Sequence, residues 1–311
     1  QLIVFLIPLL IIFTLLEYAI RQIPNTYKYK NEWMLQHADS LNTLILGNSH
    51  CMSGVNPFFF TNAFNFANSS QDLERDYFIL TNSAFNFANS SQDLERDYFV
   101  LTKYENMYNN LKCVILSFSY CTLQDKMEYV DKSRLKYYGI YMGYDKYKYS
   151  VEITSSITYE KIKEYLKGNT SQCSPLGFRV NKAFKDNLDI SGIKAAKRHT
   201  MNNREGLADN LRFLDKIIRF CENKQIKLIL VTTPTYPSYY NYLNEDQLYL
   251  LFSTAKEIVN NHENVLYLNY LKDDRFGDND FNDGDHLSEQ GAEKFTNILK
   301  DSIDHILKTE L

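Results

Sequence analysis

The sequence has no block of lysines or arginines, and its net charge is −4 with a pI near 5.9. It carries no footprint for nucleic acid or for an anionic lipid surface read through a polybasic patch, which leaves small molecules, glycans and proteins as partners. Cys-x-x-Cys spacing is missing as well. Cys51, Cys113, Cys121, Cys173 and Cys221 form an odd set that suggests neither a disulfide framework nor a zinc site, although one pair stays open to an exported domain. No cofactor is expected. A small-x-small cleavage site is also lacking. Leu2 to Leu16 is an uncharged run of mainly Leu and Ile, followed by Glu17-Tyr-Ala-Ile-Arg-Gln-Ile-Pro, so the expectation is an uncleaved membrane anchor over 1–22 rather than a leader. A full span takes about 20 apolar residues at ~1.5 Å each. The chain opens on Gln1 rather than Met, so the upstream end of this segment is expected to be missing, and orientation stays unread.

A length of 311 residues accommodates one large catalytic domain plus an appendage. After a polar, aromatic-dotted connector over 23–41, Thr43-Leu-Ile-Leu-Gly-Asn-Ser-His reads as a buried strand running into a turn. Apolar runs recur at Cys113-Val-Ile-Leu-Ser, Ile226-Lys-Leu-Ile-Leu-Val-Thr and Val265-Leu-Tyr-Leu-Asn, each after a helix-like stretch. Leu207, Leu211, Leu214 and Ile218 share one helical face, and Ala292, Phe295, Leu299, Ile303 and Ile306 share another. Strand and helix alternating in this way predict an α/β fold with a parallel sheet covered on both faces, its ligands beyond the carboxyl ends of the strands.

Two segments depart from that rhythm. Residues 123–204 are rich in Tyr and Lys and read as an insertion forming a helical cap. Ala63 to Asn82 recurs almost unchanged at Ala84 to Lys103. Two copies are too few for a solenoid and point to a local tandem duplication over 63–103. Each copy reads as a short strand and a helix start, with Ser69 or Ser90 as the N-cap.

Ser49 follows the first buried strand, at the edge where a parallel sheet exposes a hydroxyl. A free serine is a weak nucleophile and needs a base in hydrogen-bond reach, with a third group to orient that base. Asp283-Gly-Asp-His286, just before the last helix, offers both from one loop. A metal set of Asp283, Asp285 and His286 is disfavoured, because all three sit on that loop with no distant ligand in view. His50 could touch substrate or simply pack at the strand end. His199 reads as a solvated loop residue, and Thr232-Thr-Pro-Thr, with Tyr236 and Tyr239, as a wall beside the ligand edge.

Gly47-Asn48-Ser49-His50 near the start and Asp283-x-x-His286 near the end, in this order, resemble the SGNH (GDSL-like) hydrolases. With the N-terminal apolar run, Gly54-Val-Asn-Pro57 and Asn-Phe-Ala-Asn-Ser-Ser-Gln, the chain is similar to the membrane-anchored branch around the teichoic acid D-alanylation and alginate O-acetylation proteins. The resemblance implies a three-layer α/β/α flavodoxin-like sheet over 42–308. It also implies a catalytic Ser49, His286 and Asp283, and acyl transfer on envelope carbohydrate beside a membrane-bound O-acyltransferase. The family's oxyanion hole uses the serine N–H, a block-two glycine and a block-three asparagine. The glycine slot falls on Ser70 or Ser91, and Ser117-Phe-Ser-Tyr120 stands where the asparagine would be, leaving Ser119 or Tyr120 to serve.

Overall fold

The computed structural model describes residues 2–60, 84–153, 156–168, 173–181, 187–200 and 205–309. The first copy of the duplication, and with it Ser69 and Ser70, lies outside the described residues. The helices begin with α1 (Leu2–Gln22), α2 (Thr26–His37), α3 (Ser49–Gly54), α4 (Leu94–Lys103), α5 (Met127–Val130) and α6 (Leu135–Met142). They continue with α7 (Ser156–Leu166), α8 (Leu188–His199), α9 (Leu207–Asn223), α10 (Pro237–Tyr240), α11 (Glu245–Asn261) and α12 (Glu289–Thr309). The strands are β1 (Thr43–Leu46), β2 (Ala84–Asn86), β3 (Cys113–Ser117), β4 (Lys227–Thr232) and β5 (Val265–Asn269). Contacts divide the chain into two units, Gln1–Leu35 with Met127–Gln172 and Gln36–Lys126 with Cys173–Leu311.

The second unit is built on one all-parallel sheet in the order β2-β1-β3-β4-β5. Leu44 pairs with Val114, Val114 with Leu228 and Leu228 with Val265, so the four longer strands run in step. Successive residues of a strand point to opposite faces, yet Leu44, Ile45, Leu46, Val114, Ile115, Leu116, Leu228, Ile229 and Leu230 are all fully buried. Both faces are therefore covered, which is why these runs are continuously apolar. On one face Ile45, Ile115, Ile229 and Val231 pack with Met52 of α3, with Val55 just past its end and with Phe295, Leu299 and Ile303 of α12. α9 buries Leu214, Ile217, Ile218 and Cys221, while Leu211, expected on that face, is 37% exposed.

The second copy of the duplication supplies β2 and α4. Ser90 does not cap this helix. Ser91 turns the chain in the left-handed region at φ 57°, and the helix starts later with Asp93 as N-cap, its carboxylate accepting the Arg96 N–H at 3.1 Å.

The first unit gathers α1, α2 and α5–α7. Its centre is polar. The Glu17 carboxylate accepts the backbone N–H of Glu152 at 2.8 Å, and the fully buried Glu152 carboxylate pairs with Lys136 and Lys161, each at 2.7 Å. Tyr27 packs on Tyr137 and Tyr138 at centroid distances of 5.0 and 5.4 Å. Along α1, Leu6, Leu9, Leu10, Ile12 and Leu15 are exposed. Among the described residues no single helix is long and apolar enough to cross a membrane; the stretch from Leu6 and α2, bent by 66°, meet that measure only as a pair.

Candidate active site

Parallel strands deliver their carboxyl ends to one edge, and Gly47, Ser117 and Thr232 all lie there. Gly47 is required by two separate constraints. Its φ is +113°, and a Cβ on it would stand 2.2 Å from the Ser117 Cβ. The turn is held by the Gly47 N–H, which donates to the buried Asp97 carboxylate at 2.8 Å, and by the Gly47 carbonyl, which accepts the Asn89 N–H at 3.0 Å. Asn48 then caps α3, its Oδ1 accepting the His50 N–H at 3.1 Å. The cap is itself fixed: Ser117 Oγ donates to Asn48 Oδ1 at 3.0 Å, and Asn48 Nδ2 donates to Ser119 Oγ at 2.7 Å.

Ser49 thus occupies the first position of α3, and its Oγ lies 2.9 Å from His286 Nε2. The other ring nitrogen, Nδ1, lies 3.0 and 3.1 Å from the two oxygens of Asp283. Asp283 Oδ1 also accepts the N–H groups of His286 at 2.8 Å and Asp285 at 3.1 Å, so the carboxylate shapes the loop that carries the imidazole. The loop is closed by a bridge between Phe281 and Leu287. Gly284 sits so close to Gly192 of α8 that a Cβ would meet the latter's Cα at 2.1 Å.

Burial would push the His286 pKa down, but the Asp285 carboxylate and the Asp283 hydrogen bond outweigh it and lift it to about 8. Burial would raise Asp285, yet the charge of His286 beside it outweighs that and holds it ionised, well below the carboxylate range. His199, pushed down to about 3 by burial, is a neutral imidazole.

The remaining residues singled out from the sequence fall in several places. His50 is 4% exposed and stacks on His286 at 5.2 Å between ring centroids, 19° from parallel. The Ser119 hydroxyl takes the Asn48 amide, and the Tyr120 hydroxyl accepts the Asn244 N–H at 2.9 Å and bonds Thr200 at 3.0 Å. Both are committed to protein partners. Ser91 lines a cavity of about 10 Å³ behind the turn, with Gly47, Asn48, Asp97 and Asp125. Thr232, Thr233 and Thr235 are buried, so this stretch closes the strand end rather than presenting a wall. His199 is not a solvated loop residue: it ends α8, and its Nδ1 meets the buried Tyr239 hydroxyl at 2.9 Å.

Asp285 enters the sequence reading only as a disfavoured metal ligand, and Asp97 not at all. Asp285 offered only its place in Asp-Gly-Asp-His, and nothing local ties Asp97 to a glycine 50 residues upstream. Beside the loop, a groove of about 430 Å³ is lined by Asn181, Asn279, Phe281, Asn282, Glu289 and Glu293.

No curated protein matches the chain. A protein-family model that carries no functional description matches residues 145–308, just over half of the sequence. The chain belongs to the family this model defines, over a segment that holds Asp283 and His286 and leaves Ser49 outside it.

Proposed function

We propose that this chain is a serine acyl-transfer enzyme of the SGNH hydrolase type, acting on O-acyl groups of cell-envelope carbohydrate. The observation that carries the reading is the 2.9 Å contact between Ser49 Oγ and His286 Nε2, made by residues 237 positions apart. The strand order 2-1-3-4-5 supports it, being the doubly wound flavodoxin-like order whose ligands sit beyond the strand carboxyl ends.

In this mechanism His286 Nε2 takes the Ser49 proton as Oγ attacks an ester or thioester carbonyl, and Asp283 holds the imidazole by its Nδ1–H. The Ser49 N–H, at the first position of α3, has no acceptor within its own helix and would donate to the developing oxyanion. The tetrahedral centre collapses, the leaving alcohol or thiol takes the proton from His286, and an acyl-serine remains. Water or a sugar hydroxyl, deprotonated by the same imidazole, then releases the acyl group. The amide and carboxyl side chains of the neighbouring groove suit a hydroxyl-rich acceptor. The apolar α1 would anchor the enzyme as a single-pass membrane protein with its catalytic unit outside the cytoplasm, beside a membrane-bound O-acyltransferase.

A second reading rests on the committed hydroxyls of Ser119 and Tyr120. With no block-three donor, the fold could serve as a catalytically weak module that binds an envelope glycan or the acyltransferase partner. Hydrolysis of a chromogenic acetyl ester separates the two. The enzymatic reading expects turnover that falls by roughly 10³-fold or more in Ser49→Ala, whereas equal rates in wild type and variant would support the binding module.

A further inference from the structure

Asp285 has partners from far along the chain that its own loop does not reveal. His50, one residue past Ser49, brings its Nε2 to 3.5 Å from Asp285 Oδ2, and His199, at the end of α8, brings its Nδ1 to 4.0 Å from the same oxygen. One ligand atom from each of the three side chains falls within 4.8 Å of the others. The side chains are 3%, 14% and 3% exposed for His50, His199 and Asp285.

The hydrogen bonding around His50 makes the arrangement specific. His50 Nδ1 lies 3.2 Å from Asn48 Oδ1, an atom that only accepts, so Nδ1 carries a proton, and in the neutral ring Nε2 then presents a lone pair. That lone pair faces a carboxylate oxygen. Both atoms, His50 Nε2 and Asp285 Oδ2, are buried without a hydrogen-bond partner. Two buried acceptors aimed at one another are costly unless a positive centre lies between them.

We propose that His50, His199 and Asp285 form a binding site for one divalent transition cation, zinc by preference. Two imidazoles and a carboxylate suit zinc and are poor ligands for magnesium or calcium. Ligand atoms about 2.0–2.2 Å from a tetrahedral zinc stand about 3.4 Å apart, close to the 3.5 Å between His50 and Asp285. His199, 4.0 Å from Asp285 Oδ2 and within 4.8 Å of His50, moves in by giving up its bond to the Tyr239 hydroxyl, whose oxygen, or a water, takes the fourth position. Arg198, whose Nη2 is 3.6 Å from Asp285 Oδ2, competes for the same oxygen but is 61% exposed and withdraws to solvent. Its Nη2 also lies 3.4 Å from His199 Nε2. His286 Nδ1, 3.6 Å from Asp285 Oδ1, stays with Asp283. The site does not depend on the acyl-transfer reading, and loading it would fix the His50 ring on which His286 stacks.

The test uses the full chain in detergent, stripped with chelator and titrated with zinc chloride and, separately, magnesium chloride, by calorimetry and equilibrium dialysis. One zinc per chain is expected, with no magnesium uptake and a higher melting temperature on loading. His199→Ala and Asp285→Asn should each weaken zinc binding by at least about tenfold, and Ser49→Ala should not. Substoichiometric uptake by wild type overturns the proposal, as does unchanged affinity in both ligand variants. Loss on Asp283→Asn without loss on His199→Ala overturns it too, since the metal would then belong to the loop alone. If the variants fail to fold by circular dichroism, cobalt(II) on the wild-type chain decides. Visible d–d bands of a low-coordinate nitrogen–oxygen site support the assignment, and a spectrum identical to aqueous cobalt rejects it.

Discussion

The two units place their polar groups differently. The sheet unit fills the space about its strands with Leu, Ile and Val from β1, β3 and β4, and its buried charge lies off that apolar core, with Arg96 between Asp93 and Glu95 on α4 and with Asp285 and His286 beside the Ser49 turn. The other unit buries charge, with Glu152 between Lys136 and Lys161 beside Glu17, and exposes the apolar side chains of α1. The difference concerns what each interior is for. An apolar sheet tolerates a reactive edge because its stability lies elsewhere, whereas a buried charged centre fails when one partner is removed, because the charge left behind is uncompensated.

The largest expected separation between the units is catalytic. His286→Ala should lower ester turnover by roughly 10³-fold or more with little change in melting temperature, and Asp283→Asn by about 10²- to 10⁴-fold. Steady-state kinetics paired with thermal melting checks both. Next comes Glu152→Ala, which leaves two buried ammonium groups facing each other and should cost about 3–5 kcal/mol. Hydrogen exchange should locate the loss in residues 127–168, with the sheet amides still protected; a loss spread evenly would contradict the comparison.

The same carboxylate gives a pH dependence. Burial would raise the Glu152 pKa, but hydrogen bonds from Lys136, Lys161 and Tyr141 hold it below the usual glutamate value. A folded-state pKa below the unfolded one means the stabilisation is complete above the unfolded value of about 4.3 and is lost as pH falls through the folded value. Acid should therefore loosen this unit, and Glu152→Gln should flatten the response.

Gly47→Ala should cost about 3 kcal/mol or more, since it adds a clash to a disfavoured φ. Denaturant unfolding measures it. The smallest effect belongs to the outside of α1, where Leu10, 66% exposed, should tolerate Ser within about 0.5 kcal/mol in detergent.

How much of this is legible in the sequence follows the same division. β1, β3 and β4 read directly from their apolar runs, because strands buried on both faces need no partner to declare themselves, and the half-buried edge strand β5 reads from Val265-Leu-Tyr-Leu. Ser49, Asp283 and His286 stand out by their positions at the two ends of such a fold. The cap at Ser90 does not hold, because the left-handed Ser91 moves the helix start to Asp93. The His50–His199–Asp285 cluster and the Glu17–Glu152 contact are not legible, since their members are separated by 86 to 235 positions in the first case and 135 in the second, and no local period links them.

The reactivity of the Ser49 hydroxyl separates an acyl-transfer enzyme from a binding module most directly. Treatment of the full chain with a fluorophosphonate, followed by intact mass and peptide mapping, should give a single adduct on Ser49 that disappears in Ser49→Ala and in His286→Ala. A folded wild-type chain that takes no label, or takes it equally in the Ser49→Ala variant, would contradict it.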